Sequence, residues 1–317
     1  MRVILSAALL VREHLPALSR VLMEAAEGRH LVHCDDPDAL DQWLTRQGET
    51  GAWLREALDV AVRGELRAVE EQLTIHIVEG EADWERRQPR LPAAEGFPLC
   101  AEPVHVWVED NVNDRAFLLW MAGEELAGRL RRLEDARWLV FGHGGGSGLA
   151  QRVAAHCERP AGRLRSWAMV DSDALAEGDG TGKKQGGVVR TLRTLLGERV
   201  WCLHRRMMEN YLPAEALALA AEEGLLSAEF VREHAALGRR GWWLHLKKGI
   251  LGDQKRLAQE GREDPFADLD PVARAGLARG HDDIGKLWLR PEAQRWRPDA
   301  EAEAEAQPHL QRLAALL

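Results

Sequence analysis

VHVWVED (104–110) and SWAMVDSD (166–173) are the stretches that decide the fold. Each is a short run rich in β-branched and aromatic residues that stops abruptly at carboxylates: Glu109-Asp110 in the first, Asp171-Ser172-Asp173 in the second. Such runs read as buried strands rather than helices, because they are short and bounded by polar residues. Between them lie the helical stretch DRAFLLWMAGEELAGRLRRL, a further apolar run RWLVFG (137–142), the glycine turn HGGGSG and the helical LAQRVAAHC. After them come a polar glycine-rich loop, VVRTLRTLLG, a fourth run RVWCL (199–203), and a helix from PAEALALAAEEG. Four apolar strands that each feed a helix predict an α/β unit with a parallel sheet covered by helices on both faces.

In a parallel sheet the carboxyl ends of all strands share one edge, where binding sites form. Glu109, the glycine turn, Asp171 with Asp173, and Glu209 all follow strand ends, so residues 109, 171 and 209 are expected in one cleft. Converging carboxylates repel one another unless a cation joins them. An all-oxygen donor set favours Mg²⁺ or Mn²⁺ over zinc.

Outward from this unit, residues 1–100 are expected to form an N-terminal α/β accessory region. Its opening MRVILSAALLV reads as a buried amphipathic helix rather than a signal peptide, since Arg12, Glu13 and His14 follow at once without a small-residue cleavage site. HLVHC (30–34) and TIHIV (74–78) read as strands, and DDPDALDQWL as a helix. The proline-rich RRQPRLPAAEGFP (86–98) reads as a domain boundary. Residues 101–212 form the expected catalytic domain, and 213–317 a mainly helical C-terminal region. The run AEAEAEA (300–306) reads as a helical or frayed tail without chemistry.

A net charge of −9 argues against a general nucleic-acid coat protein, but not against a nucleic-acid enzyme with an acidic metal site. Candidate basic patches are Arg129, Arg131 and Arg132; His204, Arg205 and Arg206; and Arg239, Arg240, Lys247 and Lys248. Trp242-Trp243 could stack on bases, although core packing and a partner interface are both better explanations for the 12 tryptophans. The four scattered cysteines contain no C-x-x-C pair, which fits a reducing cytoplasm. No apolar stretch approaches the ~20 residues of a membrane span.

VHVWVED, GHGGGSG (142–148), AMVDSD (168–173) and HRRMMENYLP (204–213), in this order and each placed by a strand, resemble the Toprim family. The likeness is greatest to the Toprim nucleases of OLD-type proteins and related phage-defence effectors, and covers about residues 104–212. It implies a Toprim, Rossmann-like sheet and a Mg²⁺-dependent endonuclease cleaving DNA or RNA, tRNA included. By resemblance Glu109 binds metal and helps activate water, Asp171 and Asp173 coordinate Mg²⁺, and Glu209 ligates a second ion or fixes the first. The family's V-E-G-x-x-D pattern is broken here by Asp110, and the nearest acid, Asp114, lies five positions after Glu109. Asp114 is therefore either a ligand or a helix cap. Such nucleases often add a C-terminal lysine. If HLKKG is a strand, His245 and Lys247 share one face and Leu244, Leu246 and Lys248 the other, which favours Lys247. OLD-type nucleases carry an ATPase in the same chain. None is expected here, since GDGTGKK (178–184) lacks P-loop spacing, so the resemblance implies a separate ATPase partner, and self-association as a homodimer.

Three competing readings are weighed. IVEGEAD (77–83) matches V-E-G-x-x-D better, but Pro89 and Pro92 preclude the helix that must follow Glu79. A HAD-like phosphatase would use the D-x-D of Asp171 and Asp173 with GHDD (280–283). A Toprim-like interaction module would have no catalysis. The glycine turn is either a phosphate cradle capped by Ser147 or simply a tight turn.

Overall fold

The computed structural model describes residues 1–64, 72–145, 148–179, 181 and 183–317. Two four-stranded sheets, parallel throughout, organise the chain. The first comprises β1 (Arg2–Leu5), β2 (Leu31–Cys34), β3 (Thr74–Val78) and β4 (Arg90–Pro92) in the order β2-β1-β3-β4. Its helices are α1 (Leu15–Ala26), α2 (Pro37–Arg46), α3 (Glu49–Gly64) and α4 (Ala93–Ala101).

One expectation for this region is corrected. The opening segment is not an amphipathic helix: Val3 and Leu5 are fully buried in β1, an inner strand paired with β2 and β3, and only Ala7–Leu9 turn helically. The run RVIL alternates in burial with period two, which a helix would not show. The proline-rich segment carries structure of its own. Arg90–Pro92 pairs with β3 at the sheet edge, where a proline without an N–H is tolerated, and α4 follows immediately.

The second sheet is the one expected from the strand–helix alternation. It contains β5 (Val104–Val108), β6 (Leu139–His143), β7 (Ser166–Val170) and β8 (Val200–Cys202) in the order β6-β5-β7-β8. Helices α5 (Asn113–Met121), α6 (Gly123–Asp135), α7 (Leu149–Cys157), α8 (Pro160–Leu164) and α9 (Lys183–Leu196) connect its strands. All five residues of β7 are buried, the mark of an inner parallel strand covered on both faces. From β5 the chain runs outward to β6, then crosses back to β7 and outward the other way to β8. Strands β5 and β7 therefore flank the switch point, the crevice where ligands bind in open α/β sheets.

The C-terminal part is mainly helical: α10 (Ala214–Glu222), α11 (Ala228–Ala236), α12 (Leu251–Glu260), α13 (Pro271–Gly276) and α14 (Ala300–Ala314), with 3-10 turns at Gly238–Trp243 and Asp282–Leu289. It shares one hydrophobic core with the second sheet, in which Val106, Trp167 and Trp201 are continuous with Leu246, Ile284, Leu287 and Leu313. WWLHLKKG is not a strand but a 3-10 turn followed by tight turns. The Ala/Glu run is not a frayed tail. Ala302 and Ala306 of α14 are buried, and Glu305 accepts hydrogen bonds from Trp201 Nε1 (2.9 Å), the His204 amide (2.8 Å) and Tyr211 Oη (2.7 Å). Among the described residues, no helix is long and apolar enough to cross a membrane.

Candidate active site

The carboxyl edge of the second sheet gathers four acids and one ammonium. Glu109 follows β5, Asp171 follows β7, and Glu209 lies in a 3-10 turn, Met208–Tyr211, beyond β8. Asp114 joins them from the first turn of α5. Its Oδ2 accepts hydrogen bonds from the amides of Glu109 and Asp110, both at 2.9 Å. Asp114 thus tethers the end of β5. Asp110 closes the turn before α5, accepting from the Val112 amide and Asn113 Nδ2.

Burial in this edge is uneven, with Glu109, Asp114 and Asp171 part-exposed and Glu209 deepest. Glu209 is wholly buried, and its Oε2 has no hydrogen-bond partner. Its Oε1 lies 2.8 Å from Lys247 Nζ, although off the direction of a good hydrogen bond. Asp171 accepts a hydrogen bond from the Met208 amide at 3.1 Å. Burial, and then the charges of Glu109, Asp114 and Glu209, push the Asp171 carboxyl well above the usual range, while Lys247 pulls it down. Asp114 rises to about 7, chiefly through burial, against the pull of its amide contacts and with Glu109 and Glu209 adding to the rise. Lys247 is held above its ordinary value. Burial alone would lower it, but Glu209, Asp171 and Asp114 outweigh that.

The E-N-Y element that follows β8 explains how Glu209 meets Lys247. Asn210 Nδ2 donates to the carbonyls of Gly241 (3.0 Å) and Leu244 (2.9 Å), pinning the turn that carries Lys247. Tyr211 Oη anchors α14 through Glu305. Gly285 packs against the Glu209 carboxylate so closely that a Cβ there would meet Oε1 at 2.6 Å. The C-terminal region therefore forms one wall of the site. Lys247 reaches Glu209 from a turn, not from the strand face expected of HLKKG, and Lys248 is exposed.

Sequence reasoning missed Gln185. Its Nε2 donates to Glu109 Oε1 at 2.5 Å from the start of α9. The available signal was a buried amide in the first turn after a glycine-rich loop. Asp173 is placed differently from its expected strand geometry. Residues 171–174 are not a strand, and Asp173 adopts φ +52°, so alternation does not put the two aspartates on one face. The Asp173 backbone is held by the Arg206 carbonyl (2.9 Å) and Arg256 Nη2 (3.0 Å).

Other candidates fall outside the cluster. Glu79 is exposed on the first sheet and Asp83 pairs with Arg86, with no helix directly after them. Asp282 is exposed and Asp283 pairs with Lys286. The basic run 204–206 is structural: Arg206 is buried against Asp253 and Arg205 pairs with Asp299. Trp243 is buried, and guanidinium groups of Arg205 and Arg239 cover Trp242. In the glycine turn, Gly144 touches Leu149 so closely that a Cβ would overlap its backbone, and the Gly145 amide faces the Glu109 carbonyl at 3.3 Å. Ser147 lies outside the described residues, as do Gly180 and Gly182 of GDGTGKK.

The acids suit a hard cation. The unpartnered Glu209 Oε2 and the raised Asp171 both call for added positive charge. No three of these carboxylates bring ligand atoms within 4.8 Å of one another, so they do not form a compact all-protein cage. That spacing fits Mg²⁺, which keeps several waters and uses one or two carboxylates. Compared with known proteins, the chain matches no family model, no curated protein and no solved structure.

Proposed function

We propose that the chain is a Mg²⁺- or Mn²⁺-dependent, Toprim-type endonuclease that cleaves phosphodiester bonds in DNA or RNA. The observation that carries this reading is the carboxylate cluster at the switch point, in which Asp171 and Asp114 are pushed up and Glu209 pairs with Lys247. Glu109, Asp171 and Glu209, with Asp114 behind them, would hold one or two ions. When bound, such an ion supplies charge neutralisation at the scissile phosphate and lowers the pKa of a coordinated water. Lys247 adds a fixed positive charge where negative charge develops on the phosphate oxygens. Glu109 is the carboxylate assigned to draw the proton from the attacking water, and Gln185 fixes its orientation. Asp173 remains in the proposed set as an outer ligand, by resemblance.

The regulatory part of the reading rests on the family resemblance. A nuclease core without a P-loop suggests a phage-defence effector restrained by a separate ATPase protein, working in the cytoplasm as a homodimer. Purified chain with Mg²⁺ or Mn²⁺, tested on plasmid, single-stranded DNA and total tRNA, is the direct assay. Cleavage is expected to be weak alone and stronger with the partner, absent in Asp171→Asn and Glu109→Gln, and unchanged in Glu79→Ala. Full metal-dependent cleavage by Asp171→Asn would overturn the site assignment.

A further inference from the structure

A second cluster of ligating side chains lies at the opposite end of β5. Glu102 ends α4, His105 is the second residue of β5, and His156 belongs to α7. Each offers one ligand atom, and the three atoms lie within 4.8 Å of one another, the closest such trio among the described residues. Four residues of strand, about 13 Å at ~3.3 Å per residue, separate His105 from Glu109. The cluster is therefore distinct from the carboxylate site.

We propose that Glu102, His105 and His156 bind a transition-metal ion of the zinc class. The donor set, two imidazoles and one carboxylate, is the kind that zinc, cobalt and nickel prefer and magnesium does not. His156 Nε2 is buried without a hydrogen-bond partner, an arrangement that wastes a donor or acceptor unless something else binds it. Space beside it depends on Gly162: a Cβ there would meet the His156 carbonyl at 2.4 Å and Nε2 at 2.9 Å. The rings of His105 and His156 lie 4.0 Å apart, and Trp107 packs against both, at 5.6 and 5.4 Å. Two imidazoles this close resist double protonation. Burial and then His156 lower His105 to about 4, leaving a neutral ring whose nitrogen can ligate at physiological pH.

Arg159 is the competing group. Its Nη2 bonds Glu102 Oε1 at 3.0 Å, and its positive charge opposes a cation. The Arg159 side chain is 63 % exposed, so solvent screens it and it can turn away, leaving Glu102 to the ion. Ligands of a tetrahedral zinc lie about 3.4 Å apart. His105 Nε2 and Glu102 Oε1 are 3.9 Å apart, so closure needs only small side-chain rotations. The ion would join the end of α4, which belongs to the first sheet's layer, to β5 and α7 of the second. Its expected consequence is a tighter junction between the two sheets.

The test uses the full chain, stripped with EDTA and returned to excess Mg²⁺ to compete for the carboxylate site. Zn²⁺ is then added, the protein desalted, and bound zinc and thermal stability measured; Co²⁺ serves as a spectroscopic probe. About one ion per chain, a raised melting temperature and the visible absorption of a nitrogen-ligated Co²⁺ are expected. Uptake should be lost in His156→Ala and His105→Ala, and retained in Asp171→Asn. His156→Gln, which preserves size, serves where the alanine variant fails to fold by circular dichroism. Absence of retained zinc in the wild type, its persistence in His156→Gln, or its loss in Asp171→Asn would each overturn the proposal.

Discussion

Lys247 Nζ stands 2.8 Å from the Oε1 of Glu209, a carboxylate with no solvent exposure at all. The two residues are 38 positions apart and belong to different regions of the chain, joined by the bridge of Asn210 to Gly241 and Leu244. This contact sets a positive side chain among the acids and ties the C-terminal region to the sheet edge.

Removing that ammonium strands Glu209. Lys247→Met is expected to destabilise the metal-free protein by about 3–5 kcal/mol, the cost of leaving a buried charge unpaired. The double variant Lys247→Met/Glu209→Gln should recover much of the loss. Urea unfolding of the wild type, both single variants and the double variant in EDTA measures the coupling; simple additivity would show that the pair is not an interacting unit.

Gln185 reaches the site through Glu109. Gln185→Ala is expected to lower metal-dependent cleavage about 10- to 100-fold, the usual effect of losing an outer partner of a ligand. Gln185→Glu sets a like charge beside Glu109 and should shift the Mg²⁺ dependence to higher concentration. Rate profiles against Mg²⁺ for the three proteins separate these outcomes. A Gln185→Ala enzyme with wild-type rate and metal dependence would remove Gln185 from the site.

The pH dependence follows from Asp114, raised to about 7, and Asp171, raised well above its ordinary value. Acids with raised folded-state values favour the protonated, folded form. Their stabilising contribution is complete below an ordinary aspartate pKa of about 4 and is lost as pH rises through the folded values. In EDTA the wild type should therefore lose stability relative to Asp171→Asn between about pH 4 and 8, since the variant removes one of the repelling charges. Unfolding free energies of the two proteins across that range provide the check, and a constant difference would contradict the repulsion. Mg²⁺ should reduce the gap at pH 8 by favouring the ionised wild-type site.

Glu305 tests whether α14 is part of the fold. Glu305→Ala leaves Trp201 Nε1 and Tyr211 Oη without their carboxylate in surroundings where both residues are 2 % exposed or less. A loss of about 2–4 kcal/mol is expected, since each stranded polar group costs ~1–3 kcal/mol. Thermal melting and limited proteolysis near residue 300 would report it. An unchanged melt would mean that α14 contributes little beyond its buried alanines.

The sequence by itself determined the second sheet and the place of its site. VHVWV, RWLVF, SWAMV and RVWC are apolar runs too short for helices and flanked by helical periods, so parallel pairing was their one economical burial. Carboxylates after the first and third of those runs then had to share the carboxyl edge. The sequence did not determine MRVILSAALLV as a strand, because a short apolar run carries no period that separates buried strand from buried helix. Proline made RRQPRLP look like a break, although an edge strand accepts it. Only tertiary structure decided that Asp114 tethers the end of β5, that Gln185 holds Glu109, and that Lys247 meets Glu209 from a turn. Those contacts join residues whose local sequence carries no shared pattern. They depend on how close the packed C-terminal wall, with Gly285 at its centre, lies to the sheet edge, and that distance is set by the whole core rather than by any one segment.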